Sequence, residues 1–152
     1  MKNNRVCPIS IIIFLGLIFA DQLSKFMIHH SGGSYFCNPN LAFSIPISRY
    51  LFIPLWCILV ILIILHIFRK IRQSSIFGWQ MFFPVLVLAG AFSNLLDRMI
   101  WGCVIDFINL ARLWPANIAG QNIPSWPTFN LADSFITIGI LGIIILYFLR
   151  RD

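Results

Sequence analysis

The sequence predicts an all-α polytopic membrane protein with four transmembrane helices and both termini on the cytoplasmic side (N-in/C-in). Three observations carry that prediction. The chain is 59% hydrophobic with a mean hydropathy of +0.88, which a soluble domain of 152 residues does not reach. Four apolar stretches approach the roughly 20 residues that a helix needs to cross the hydrocarbon core. The basic residues collect in alternate connections, as the positive-inside rule requires of a multi-pass chain. The formal net charge of +6 is therefore read as an orientation signal and not as affinity for nucleic acid.

The spans run at about 9–28, 51–68, 78–99 and 130–149, and the whole of 1–152 reads as one membrane domain. Lys2 and Arg5 precede the first span. Arg69, Lys70 and Arg72 fill the short second connection, and Arg150 and Arg151 follow the last span. The two long loops, about 29–50 and 100–129, hold only Arg49 and Arg112 and are placed outside. The first span has some features of a cleaved signal peptide, ending Ile18-Phe19-Ala20. Ile18 at the −3 position is not small, and Asp21 and Lys25 continue the helical pattern, so the span is expected to be retained.

This topology brings scattered polar residues to one level. Asp21 and Lys25 lie in the outer part of span one, Asn94, Asp97 and Arg98 at the outer end of span three, and Asn130 and Asp133 at the outer start of span four. Asn38 and Asp106 are in the outer loops. There is no glutamate, and four of the five acids lie in or beside very apolar segments. Intramembrane carboxylates are expensive and mark function or a paired interior.

Each constellation has a structural and a chemical reading. Asp21 and Lys25, four apart, share a helix face and suit a buried ion pair that fixes packing or orients a site. Asn94, Asp97 and Arg98 share another face, above an Ala89-Gly90-Ala91 run that permits close helix approach. Arg98 suits either snorkelling to headgroups or holding a substrate carbonyl. Asp133 suits a helix N-terminus after the capping sequence Thr128-Phe129-Asn130. Asp106 and Asp133 together suit acid–base hydrolysis by paired carboxyls.

The loop aromatics Tyr35, Tyr50, Trp101, Trp114 and Trp126 read as interfacial anchors, and Leu110, Leu113, Trp114 and Ile118 as an apolar lip on the membrane. His29-His30 lacks a third ligand at suitable spacing, so no metal is expected. Cys7, Cys37, Cys57 and Cys103 show no C-x-x-C spacing. Cys37 and Cys103 are both outside, where a disulfide is chemically allowed, but nothing in the sequence fixes their separation and no bond is expected from it.

The absences narrow the chemistry. Without glutamate there is no H-E-x-x-H metalloprotease. Neither G-x-S-G nor G-x-G-D occurs, which excludes rhomboid-like serine and presenilin-like aspartyl types. Five ordered strings remain: Asp21-Gln-Leu-Ser-Lys25, Asn38-Pro-Asn-Leu-Ala-Phe-Ser44, Gly90-Ala-Phe-Ser-Asn94-Leu-Leu-Asp97-Arg98, Gly102-Cys-Val-Ile-Asp106-Phe-Ile108 and Phe129-Asn130-Leu-Ala132-Asp133. Together they resemble the lipoprotein signal peptidases (signal peptidase II), over nearly the whole chain.

That resemblance implies an aspartyl endopeptidase of the bacterial cytoplasmic (inner) membrane, working at the extracytoplasmic face without a cofactor. It implies Asp106 and Asp133 as the catalytic dyad. Asn38, Asn94, Arg98 and Asn130 would shape the site, with Asp21, Lys25, Asp97 and Ala132 in support. It implies a diacylglyceryl-modified prolipoprotein as substrate, cut before the lipid-bearing cysteine, with membrane lipids around it and no obligate protein partner. It also implies a small extracytoplasmic β/loop subdomain. Asn40 replaces a usual glycine, and asparagine tolerates left-handed backbone better than most residues. The second outer loop is longer than usual, with Pro115, Gly120, Pro124 and Pro127 marking an irregular excursion. The alternatives are a small transporter or proton-relay protein, and a non-catalytic membrane assembly subunit.

Overall fold

A computed structural model of the chain describes residues 6–40, 49–73, 78–109 and 128–149. Its elements, in order, are α1 (Val6–His30), β1 (Phe36–Asn38), α2 (Arg49–Gln73), α3 (Trp79–Ile100), β2 (Val104–Asp106) and α4 (Leu131–Phe148). Helices therefore stand at all four expected spans. By length and composition three of them, Pro8–His30, Trp79–Ile100 and Leu131–Phe148, suffice to cross a membrane, while the apolar stretch Pro54–Arg69 in α2 is shorter. The apolar lip, Trp114, Trp126 and the prolines of the second outer loop lie outside the described residues.

The central helix is α3, which packs against α1, α2 and α4. Its buried face runs from Met81 through Val85, Ala89 and Ser93 to Asp97. Small residues allow α4 to approach closely: Gly139 and Gly142 lie against Val87 and Phe83, and Gly90 lies against the Ala132 backbone. Trp56 of α2 donates its indole N–H to the Ala91 carbonyl of α3 at 3.2 Å. Outward faces of α1, α2 and α4 carry exposed Leu, Ile and Phe, such as Ile12, Leu62 and Ile145. Such faces suit hydrocarbon and not water.

Two local features place the site. The strands β1 and β2 pair antiparallel in the register Phe36↔Asp106, Cys37↔Ile105 and Asn38↔Val104. Directly after β2, an isolated bridge joins Ile108 to Phe129, closing the base of the second outer loop. That bridge brings Asn130, the cap of α4, beside the strand that ends at Asp106. The second feature corrects a sequence expectation: Cys37 and Cys103 form a disulfide, with Cα atoms 5.5 Å apart. The bond joins residues 66 positions apart, and the strand pairing that makes it possible has no signature in the spacing of the cysteines.

Candidate active site

The site is a buried polar layer at one end of α3, and its construction follows from the hydrogen-bonding valence of asparagine. An amide side chain both accepts and donates, so fixing its oxygen aims its NH2 group. Asn38 Oδ1 accepts from the Asn40 backbone N–H at 2.9 Å, and its Nδ2 donates to Asp106 Oδ2 at 2.9 Å. Asn130 Oδ1 caps α4 by accepting from the Asp133 N–H at 2.9 Å, and its Nδ2 donates to Asp106 Oδ1 at 2.8 Å. Asn94 Oδ1 accepts from Lys25 Nζ at 3.1 Å, and its Nδ2 donates to Asp133 Oδ1 at 2.8 Å. Asn130 Nδ2 also lies 3.1 Å from Asn94 Oδ1, which joins the two halves.

Both carboxyls thus receive fixed amide donors. Asp106 is 1% exposed with an amide on each oxygen, whereas Asp133 is half-buried and is the more open of the two. The capping expectation for Asp133 is met as well, since its Oδ2 accepts from the Asn130 N–H at 3.4 Å. Capping takes one oxygen at long range and leaves the other to Asn94. Burial pushes the Asp106 carboxyl up from 3.8 to about 6. The nearby Asp133 charge adds to this, while donation from Asn38 and Asn130 and the Lys25 charge oppose it.

Behind the carboxyls lies an ion triad. Lys25 Nζ is 2.6 Å from Asp21 Oδ2 and 2.7 Å from Asp97 Oδ2, and all three side chains are almost fully buried. Each supporting aspartate also holds a backbone N–H next to a candidate catalytic residue. Asp21 Oδ1 accepts from Ala132, which precedes Asp133, at 2.9 Å. Asp97 Oδ2 accepts from Ile105, which precedes Asp106, at 3.2 Å. Lys25 therefore links the two segments that carry Asp106 and Asp133.

Arg98 donates to the Asn94 carbonyl at 3.0 Å and to the Asn40 carbonyl at 2.7 Å. It ties the turn after β1 to α3, a role that neither reading of Arg98 from sequence had proposed. The same contacts locate Asn40, which serves the turn through its backbone N–H and carbonyl.

Every residue assigned to the site from the sequence thus joins one network: Asp21, Lys25, Asn38, Asn94, Asp97, Arg98, Asp106, Asn130, Ala132 and Asp133. Two further members were not singled out. Ser93 Oγ donates to Asp21 Oδ2 at 2.7 Å, and Gln22 Nε2 donates to Asp97 Oδ1 at 2.8 Å. Helical spacing carried a signal for both, since Ser93 is four before Asp97 and Gln22 three before Lys25.

Comparison with known proteins places this arrangement. The pattern of the family described as Signal peptidase (SPase) II matches residues 13–149. A lipoprotein signal peptidase of Staphylococcus haemolyticus is 30% identical over 162 residues, covering 95% of this chain and 94% of that one. One from Blochmanniella pennsylvanica is 32% identical over 120 residues, covering 75% of this chain and 65% of the relative. Among solved structures, a bacterial membrane enzyme determined by the in meso method at 2.3 Å superposes with a TM-score of 0.70 at 25% identity, covering 100% of this chain and 94% of the other. A second, at 1.9 Å, gives a TM-score of 0.66 at 26% identity, covering 97% of each chain.

Proposed function

The chain belongs to the signal peptidase II family, and from that premise we propose that it removes the signal peptide from diacylglyceryl-modified prolipoproteins, cutting before the lipid-bearing cysteine, with Asp106 and Asp133 as its catalytic dyad. The observation that carries the reading is the aiming of three asparagine amides at those two carboxyls.

The chemistry follows from proton sharing. Two linked carboxyls do not both ionise cheaply, and a buried Asp106 with its pKa near 6 holds a proton more readily than a free aspartate does. The ionised member takes a proton from water, which attacks the scissile carbonyl. The protonated member hydrogen-bonds that carbonyl oxygen and then helps protonate the leaving amine. On Asp106 both oxygens already accept an amide N–H, so a proton there is left to point away from Asn38 and Asn130. The base and acid are treated as one unit, because the proton belongs to the pair.

The setting suits the substrate. In this reading the chain crosses the bacterial cytoplasmic (inner) membrane four times, N-in/C-in, with the dyad at the extracytoplasmic face. The diacylglyceryl chains remain in the bilayer beside the apolar helix faces, and the cysteine lies at the level of the polar layer. A proton-relay protein or an assembly subunit would account for buried carboxyls, but not for the family match across residues 13–149.

The test is cleavage of a diacylglyceryl-modified prolipoprotein by the purified protein in lipid. Asp106→Asn and Asp133→Asn are each expected to abolish cleavage while leaving the protein folded, and an unlipidated substrate is expected to stay intact. Robust turnover by either variant would refute the dyad.

A further inference from the structure

The ribbon that carries Asp106 is too short to hold its own register. It has three residue pairs in two strands, and isolated two-stranded pairings are marginal in water. A slip by one residue would turn every side chain to the opposite face. Two cross-strand links depend on the observed register. Asn38, opposite Val104, reaches diagonally to Asp106, two residues further along β2. Cys37, opposite Ile105, reaches diagonally to Cys103, two residues back. Adjacent strand residues point to opposite faces, so the disulfide lies on one face of the ribbon and the Asn38–Asp106 contact on the other. Cys37 is exposed and Cys103 buried, so the covalent link runs from the rim of the ribbon into the protein.

We propose that Cys37 and Cys103 are positioning residues of the peptidase: their disulfide pins β1 on β2 in the register that seats the Asn38 amide on the Asp106 carboxylate. This rests on the peptidase reading, which supplies the activity it modulates. The bond does not touch substrate, and it acts only through Asn38.

The test compares oxidised wild type, wild type reduced with dithiothreitol, and the Cys37→Ser/Cys103→Ser double variant, all in lipid. In the reduction, dithiothreitol loses two hydrogens to form its cyclic disulfide as Cys37 and Cys103 become thiols, and a rise of two titratable thiols verifies it. Loss of the Asn38 contact is expected to lower kcat by about tenfold or more, the factor that a hydrogen bond to a charged group carries. KM is expected to change little. The pH profile is expected to move to higher pH, because Asn38 donation holds the Asp106 carboxyl down. The other groups acting on Asp106 are Asp133 and Asn130 at the start of α4, Lys25 of α1 and Arg98 of α3, and none is altered. In an Asn38→Ala background, reduction is expected to have no further effect.

Unchanged kcat and pH profile on reduction would overturn the proposal, as would an effect that multiplies with that of Asn38→Ala. A fall in folded protein with an unchanged pH profile would reduce the disulfide to a stability element and overturn it too. Absence of cleavage by folded, oxidised wild type would instead refute the peptidase reading. In that event a 13C-carboxyl NMR titration of Asp106 still decides the positioning role, which fails if the midpoint is the same before and after reduction.

Discussion

Replacing Lys25 with methionine removes one charge from the triad while keeping an unbranched side chain of similar length. Lys25 Nζ lies 2.6 and 2.7 Å from two carboxylates, and all three side chains are almost fully buried. At an effective dielectric of about 20, each contact carries roughly 6 kcal/mol of Coulomb attraction, most of it offset by the cost of taking the charges out of water. The measurable quantity is the cost of leaving Asp21 and Asp97 facing one another without their cation, roughly 3–5 kcal/mol. Lys25→Met is expected to lose that much in equilibrium unfolding in micelles. Its kcat is expected to fall by about a hundredfold, since Asp21 and Asp97 hold the N–H groups of Ala132 and Ile105 and a misplacement near 1 Å costs about that factor. The triple variant Asp21→Asn/Lys25→Met/Asp97→Asn removes every charge and keeps an oxygen for each backbone N–H. It is expected to recover most of the stability. A single variant within about 1 kcal/mol of wild type, or a triple variant less stable than the single, would refute the reasoning.

Two further outcomes are expected. The Asp106 carboxyl is raised from 3.8 to about 6, so the native state binds its proton more tightly than the unfolded chain does. Stability from this group is present below pH 3.8 and lost as pH rises through about 6, at most roughly 3 kcal/mol in all. Asp106→Asn is expected to remove that slope from unfolding free energies measured between pH 4 and 7, and a slope equal to that of wild type would contradict the assignment. At Gly90, an added Cβ would overlap the Ala132 carbonyl oxygen and lie 2.8 Å from Ile136 Cγ1. Gly90→Ala is expected to shift the start of α4 and reduce kcat several-fold. Gly16→Ala, with nothing within 4 Å, is expected to match wild type. Equal activity of the two variants would show that α4 absorbs the methyl group.

The helices and the level of the polar layer were legible because hydropathy and charge asymmetry act on whole segments. If successive helices alternate in direction, Lys25, Asp97 and Asp133 fall at one end of the bundle, and they do meet in one polar layer there. What was not legible is which atom each side chain serves. Arg98 offered a choice between headgroup and substrate, and its guanidinium donates to the carbonyls of Asn40 and Asn94. Those carbonyls are generic features of the backbone and leave no mark in sequence. The disulfide was hidden for a related reason: Cys37 and Cys103 meet only through a three-residue pairing of strands far apart in the chain.

The choice of asparagine at positions 38, 94 and 130 has a physical reason. A carboxylate at any of them would accept the same anchoring hydrogen, from Asn40 N–H, Lys25 or Asp133 N–H. It would then turn a second negative oxygen toward Asp106 or Asp133 in place of a donor. A serine has the chemistry but not the reach to span from anchor to carboxyl. Of these three groups, the amide alone takes its orientation from the scaffold and passes a donor on to the carboxyl. Three such amides, anchored on three separate segments, hold the Asp106 and Asp133 carboxyls in fixed positions, as the proposed sharing of one proton requires. The rest of the network, from the Lys25 triad to the Arg98 clamp, holds the anchors.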